Sequence, residues 1–137
     1  MEDYNQYFIL TILLFVVGVV YSRSLSKKAL NLLSQDEKAR YLDLLSGQSV
    51  ILPMLVFLLP VVLISLSMNR IAQYVSLQFI VIFLVSWIVL YVVYFIFKSY
   101  QILNKNQFPR DFIRLQTISI SIRMLSFLII ISTSFFW

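Results

Sequence analysis

The chain reads as an all-α integral membrane protein, an antiparallel bundle of four transmembrane helices with one short amphipathic cytoplasmic helix. Three observations carry that reading. Four apolar stretches, about residues 4–22, 49–68, 75–97 and 117–137, fill over half of the 137 residues, and each is long enough for a helix to cross a bilayer, which takes ~17 to 25 residues. Hydrophobic residues make up 61% of the chain and charged residues 12%, with a mean hydropathy of +0.90. That leaves no space for a separate soluble domain, so residues 1–137 are read as a single membrane domain. The basic residues, finally, gather on two of the links between spans, as a fixed membrane orientation requires.

The first stretch, Tyr4 to Ser22, is flanked by Met1, Glu2 and Asp3 rather than by basic residues, and no small-residue cleavage site follows its apolar core. It is expected to be a retained membrane helix rather than a secretory signal. The link that follows carries Arg23, Lys27, Lys28, Lys38 and Arg40, and its pattern is helical. Ser34 and Glu37 form a capping box, Asp36 and Glu37 place negative charge in the first turn, and Gly47 is a stop, which predicts a helix over residues 34–46. Ala39, Tyr41, Leu42, Leu44 and Leu45 give it an apolar face. Such a helix lies on the inner membrane surface or offers Tyr41, Leu42 and Leu45 as a docking face for a cytoplasmic partner.

The second stretch contains Pro53 and Pro60, seven residues apart and hence on nearly one face; a proline inside a helix frees the carbonyl four residues upstream, here at Ser49 and Val56. Residues 69–74 make a tight external turn that folds the second span against the third, and the longer links are expected to pair the other neighbours in the same way. The third stretch carries Phe79, Phe83, Trp87, Tyr91 and Tyr94 at spacings of four, four, four and three, which sets an aromatic stripe within about 120° on one side of the helix. The second basic link holds Lys98, Lys105, Arg110 and Arg114, and Pro109 suits the first turn of a helix that runs through Phe112, Ile113 and Leu115 into the fourth span. The amino terminus carries no basic residue and the external turn only Arg70. With nine Lys and Arg on the two basic links, the positive-inside rule sets both links in the cytoplasm and both termini outside. Tyr4, Tyr7, Tyr74, Phe135, Phe136 and Trp137 then fall at the outer interface and Tyr21 and Tyr100 at the inner one.

Composition excludes more chemistry than it suggests. Cysteine and histidine are absent, which removes thiol chemistry, haem ligation by histidine and nearly all zinc, copper and iron sites. No cofactor or metal is expected. All six acidic residues, Glu2, Asp3, Asp36, Glu37, Asp43 and Asp111, lie outside the apolar cores, so coupling through an intramembrane carboxylate is disfavoured. No nucleotide-binding glycine pattern and no activated serine or tyrosine is present, and the chain is read as a non-enzyme. The net charge of +5 belongs to the membrane surface, where it meets anionic headgroups, rather than to nucleic acid.

Arg123 is the one ionisable residue inside an apolar stretch. Counting fourteen residues inward from Trp137 puts it ~21 Å deep, ~9 Å short of the opposite boundary of a ~30 Å core. Three readings compete: an arginine that snorkels to the inner headgroups, an anion or headgroup anchor turned into the bundle, and a partner for a carboxylate of another protein. By level, its side chain should meet Trp87, Tyr91 or Tyr94, where cation-π contact would contribute ~0.5 to 2 kcal/mol. Arg123, Trp87, Tyr91 and Tyr94 are thus the candidate lipid, anion or partner site. Gly18 with Ser22, Ala72 with Ser76 and Thr117 with Ser121 fit the spacing of small residues where helices approach closely.

The expected function is that of a non-catalytic accessory, assembly or interaction subunit of a membrane complex. A lipid-binding or channel-like protein is the alternative. The expected partners are membrane lipids, including anionic headgroups, together with another membrane or cytoplasmic protein or a second copy of the chain. The frequent Ile, Asn, Lys and Phe suit an AT-rich genome, and the expected location is a bacterial cytoplasmic membrane.

Overall fold

The computed structural model describes residues 2–48 and 51–136, with side chains from Gln6 onward except at 132 and 134–136. Met1, Ser49, Val50 and Trp137 lie outside the described residues, as do the side chains of Tyr4, Phe135 and Phe136 named above as interface markers. The described chain is all helical: α1 (Glu2–Asn31), α2 (Gln35–Ser46), α3 (Ile51–Ile71), α4 (Leu77–Lys105) and α5 (Arg110–Phe136). Four of these, α1, α3, α4 and α5, are long and apolar enough to cross a membrane.

α1 does not stop at Ser22. Nothing between Arg23 and Asn31 breaks a helix, and Leu25, Lys27, Lys28, Ala29 and Leu30 favour one, so the first third of the basic link continues α1 to a total of 30 residues. At 1.5 Å per residue that is about 45 Å, longer than a ~30 Å core. α2 begins as its capping box requires. The Ser34 amide donates to Glu37 Oε2 at 2.9 Å and the Glu37 amide donates to Ser34 Oγ at 3.3 Å. Gly47 ends it, its amide donating to the Asp43 carbonyl at 3.0 Å.

α3 carries Pro60 in its interior. Pro60 breaks the ladder opposite Val56, and the Ser49 carbonyl that Pro53 was expected to free lies outside the described residues. The turn between α4 and α5 is tight: Gln107 takes φ 56°, a left-handed conformation costly for a residue with a Cβ. It drops Phe108 into the core and lets α5 begin just after Pro109, whose carbonyl accepts from the Ile113 amide at 3.0 Å.

The helices do not pack in chain order. α1 lies along α5 and α5 along α4, and α3 touches α4 only lightly, whereas α1 and α3, joined through α2, share no extensive contact among the described residues. The expected pairing of the first two spans is therefore replaced by pairing of the first with the last. The reason is chemical, since α1 and α5 carry the small and polar residues that let backbones approach, and α3 carries few.

The densest core lies at the basic end, where α2 folds back on the others. Ala29, Leu33, Tyr41, Leu103, Phe108, Phe112 and Ile113 are all buried there, with Leu30, Leu44 and Leu115 packed around them. Tyr41 meets Phe108 edge-on at 5.9 Å and Phe112 at 5.3 Å, contacts of about 0.5 to 1.5 kcal/mol each beyond area burial. The Arg40 guanidinium lies 4.8 Å from the centre of the Phe108 ring. Away from this cluster, α4 buries Ile80, Leu84, Ile88 and Val92 at regular spacings of four.

Candidate functional site

The residues that meet between α1 and α5 follow a 3-4 spacing that keeps one seam in register. On α5 these are Phe112, Gln116, Ser119, Arg123 and Ser126; on α1 they are Gly18, Ser22, Ser26 and Ala29. As numbers rise along α1 they fall along α5, with Phe15 against Phe127, Gly18 against Ser126, Ser22 against Ser119 and Ser26 against Gln116.

The seam is polar because its small residues bring the two backbones within reach of each other's side chains. Ser22 Oγ donates to the Ser119 carbonyl at 2.7 Å, and Ser119 Oγ donates to the Ser22 carbonyl, also at 2.7 Å. One step toward the basic end, Ser26 Oγ donates to Gln116 Oε1 at 3.1 Å, and Gln116 Nε2 donates to the Tyr41 hydroxyl at 2.9 Å. A polar track thus links the seam to α2. Burial raises the Tyr41 pKa above its ordinary value of 10.0, an effect that the Gln116 hydrogen bond and the charge of Arg123 only partly offset.

Arg123 belongs to this track. Its Nε donates to Ser22 Oγ at 3.3 Å, and no carboxylate among the described residues pairs with it. It does not reach the aromatic stripe. α4 turns a different side toward its core, and Trp87, Tyr91 and Tyr94 face α3.

There Trp87, Tyr91 and Tyr94 form one wall of a groove of about 390 Å³, with Leu52, Pro53 and Val56 opposite and Lys98 at one end. Phe57 of α3 covers Tyr91 with ring centres 4.4 Å apart, and Lys98 Nζ lies 5.8 Å from the centre of the Tyr94 ring. The Trp87 indole N–H is buried with no hydrogen-bond acceptor among the described residues. The four residues nominated together therefore divide: three line the groove and Arg123 ties α5 to α1. Phe79 and Phe83, at the far end of the stripe, are exposed.

The proposed docking face of α2 divides as well. Tyr41 is buried inside the protein, whereas Leu42 and Leu45 are 63% and 45% exposed. The amphipathic pattern located the apolar face, and the molecule itself covers part of it. Ser26, Gln116 and Ser126 were missed by sequence reasoning, although the 3-4 spacing of Gln116, Ser119, Arg123 and Ser126 could have found them. In the seam both central serine hydroxyls donate to backbone carbonyls. The groove offers apolar walls with a cation at one end. No family model, curated protein or solved structure shows detectable similarity to the chain.

Proposed function

We propose that the protein is a four-span integral membrane protein with antiparallel spans, cytoplasmic basic links and external termini, and that it acts as a non-catalytic accessory, assembly or interaction subunit. The observation that carries this reading is α3, a 21-residue helix with no buried residue. α1, α2, α4 and α5 supply one another's core, and α3 touches them chiefly through the groove wall. In lipid, association rests on packing and hydrogen bonding rather than on the hydrophobic effect, so a helix so lightly held is the one free to pack elsewhere. Pro60 adds to this by leaving the Val56 carbonyl to be met by a group from outside the helix. The partner is another membrane protein or a second copy, and Leu42 and Leu45 extend the available surface to the cytoplasmic side.

The test is crosslinking from α3. Photoreactive residues at Leu55, Leu59 and Leu66 should form one discrete adduct, while the same probe at buried Leu84 should form none. Adducts to lipid alone at all three α3 positions would contradict the reading.

A second reading is favoured by the groove. Trp87 and Lys98 are eleven residues apart on α4, about 16 Å along the axis, close to half of a ~30 Å core. The groove is thus one leaflet deep with a cation at its headgroup end, which suits a lipid chain. A lipid retained through purification and lost on Trp87→Ala would support this reading; equal retention by that variant would count against it.

A further inference from the structure

At the basic end, on the far side of α4's last turns from the groove, the start of α5 and the end of α4 enclose an open cavity of about 650 Å³. Tyr100 and Asn104 line it from α4, and Arg110, Asp111, Arg114 and Thr117 from α5. Arg110 and Arg114 stand one turn apart, so their guanidinium groups share this space. Neither forms an ion pair with a carboxylate among the described residues, and Asp111 is the one acid at the cavity.

We propose that this cavity binds the phosphate of an anionic phospholipid. Two guanidinium forks match phosphate oxygens in a bidentate manner that one lysine cannot reproduce. The Tyr100 hydroxyl and the Asn104 amide add neutral donors from the opposite wall. The opening turn of α5 contributes its positive dipole end to the same side. Position completes the argument: the cavity precedes the apolar part of α5 by less than two turns, at the level where headgroups lie, and basic pockets between spans on that face are headgroup sites. Asp111 opposes the ligand's charge and sets an upper bound on affinity. The site differs from the groove, which is apolar and served by Lys98, and it does not depend on α3 having a partner.

The experiment titrates the purified full-length protein with short-chain phosphatidic acid, short-chain phosphatidylcholine and inorganic phosphate, read by native mass spectrometry and thermal shift. Phosphatidic acid should bind and phosphatidylcholine should not. Arg110→Gln and Arg114→Gln should each weaken binding about tenfold, the effect of losing a hydrogen bond to a charged group. Arg70→Gln, which removes a cation at the opposite end of the spans, should leave it unchanged. Asp111→Asn, which removes repulsion without changing shape, should tighten binding, and this variant keeps the test decisive if an arginine variant fails to fold. Unchanged affinity in the Arg110 and Arg114 variants, an equal loss in Arg70→Gln, or no gain in Asp111→Asn would overturn the proposal. Inorganic phosphate binding as tightly as phosphatidic acid would overturn the lipid assignment.

Discussion

Gly18→Ala tests the packing of α1 on α5 at its closest point. In an exposed helix this substitution would stabilise by about 1 kcal/mol, because alanine is the better helix former. Here a Cβ at position 18 would overlap Ser126 Oγ and come within 3.1 Å of Ser126 Cβ. The hydroxyl cannot turn away freely, since it donates to the Ile122 carbonyl at 2.8 Å, and the Cβ contact remains wherever the hydroxyl goes. The helices must separate by a few tenths of an ångström, which lengthens the paired Ser22 and Ser119 hydrogen bonds a turn away. Overpacking of this kind costs about 1 to 3 kcal/mol, so the net effect after the gain in propensity is a loss of roughly 0 to 2 kcal/mol. Ser126→Ala removes the overlapping atom, so the double variant should recover part of the loss. Unfolding of parent, single and double variants in one detergent, followed by circular dichroism, closes the cycle. Gly18→Ala as stable as an exposed-helix Gly→Ala predicts, with no coupling to Ser126, would refute the seam.

Three further outcomes follow from the same geometry. Ser34→Ala removes the acceptor for the Glu37 amide and should weaken α2 by about 1 kcal/mol, seen as faster amide exchange confined to residues 35–46; uniform exchange in both proteins would show that the box does not hold the helix. The Tyr41 pKa is raised in the folded state, so its contribution is fully present below the unfolded value near 10 and is lost as pH rises through the higher folded value. Stability should therefore fall from the unfolded value near 10 up to the folded value, and Tyr41→Phe should remove this part of the fall while losing the Gln116 bond. Ser22→Ala should destabilise more than Arg123→Leu, because Ser22 holds the Ser119 carbonyl and Arg123 together, whereas Arg123 makes one long contact and carries a charge that lipid disfavours; the reverse order in thermal unfolding would return Arg123 to the centre of the site.

What could be read from the sequence is what local chemistry decides. The presence of the four apolar runs, the capping box at Ser34 and Glu37 and the start of α5 just after Pro109 each depend on nearby residues, and each reappears in the structure. The partners of each helix face are harder to read. Hydropathy distinguishes core from surface in water, but in lipid a leucine facing a neighbour and a leucine facing an acyl chain look alike. The informative residues were instead the small and polar ones, and Gly18 with Ser22 pointed to the seam without naming α5 as its other side. Arg123 was placed by counting residues, which gives no rotation about the axis, and the aromatic stripe turned out to face α3. Tyr41 shows the same limit, since amphipathicity reveals an apolar face without saying whether the protein's own core, a membrane or a partner covers it.

The central claim is insertion with the basic end in the cytoplasm, because both proposed lipid sites and the external termini depend on it. The parent chain has no cysteine, so single cysteines at Asp3, Lys38, Gln73 and Asn106 can be labelled in intact cells with a membrane-impermeant maleimide. The account predicts labelling at 3 and 73 in intact cells, and at 38 and 106 only after the membrane is opened. Labelling of 38 and 106 with protection of 3 and 73, or equal labelling at all four, would contradict it.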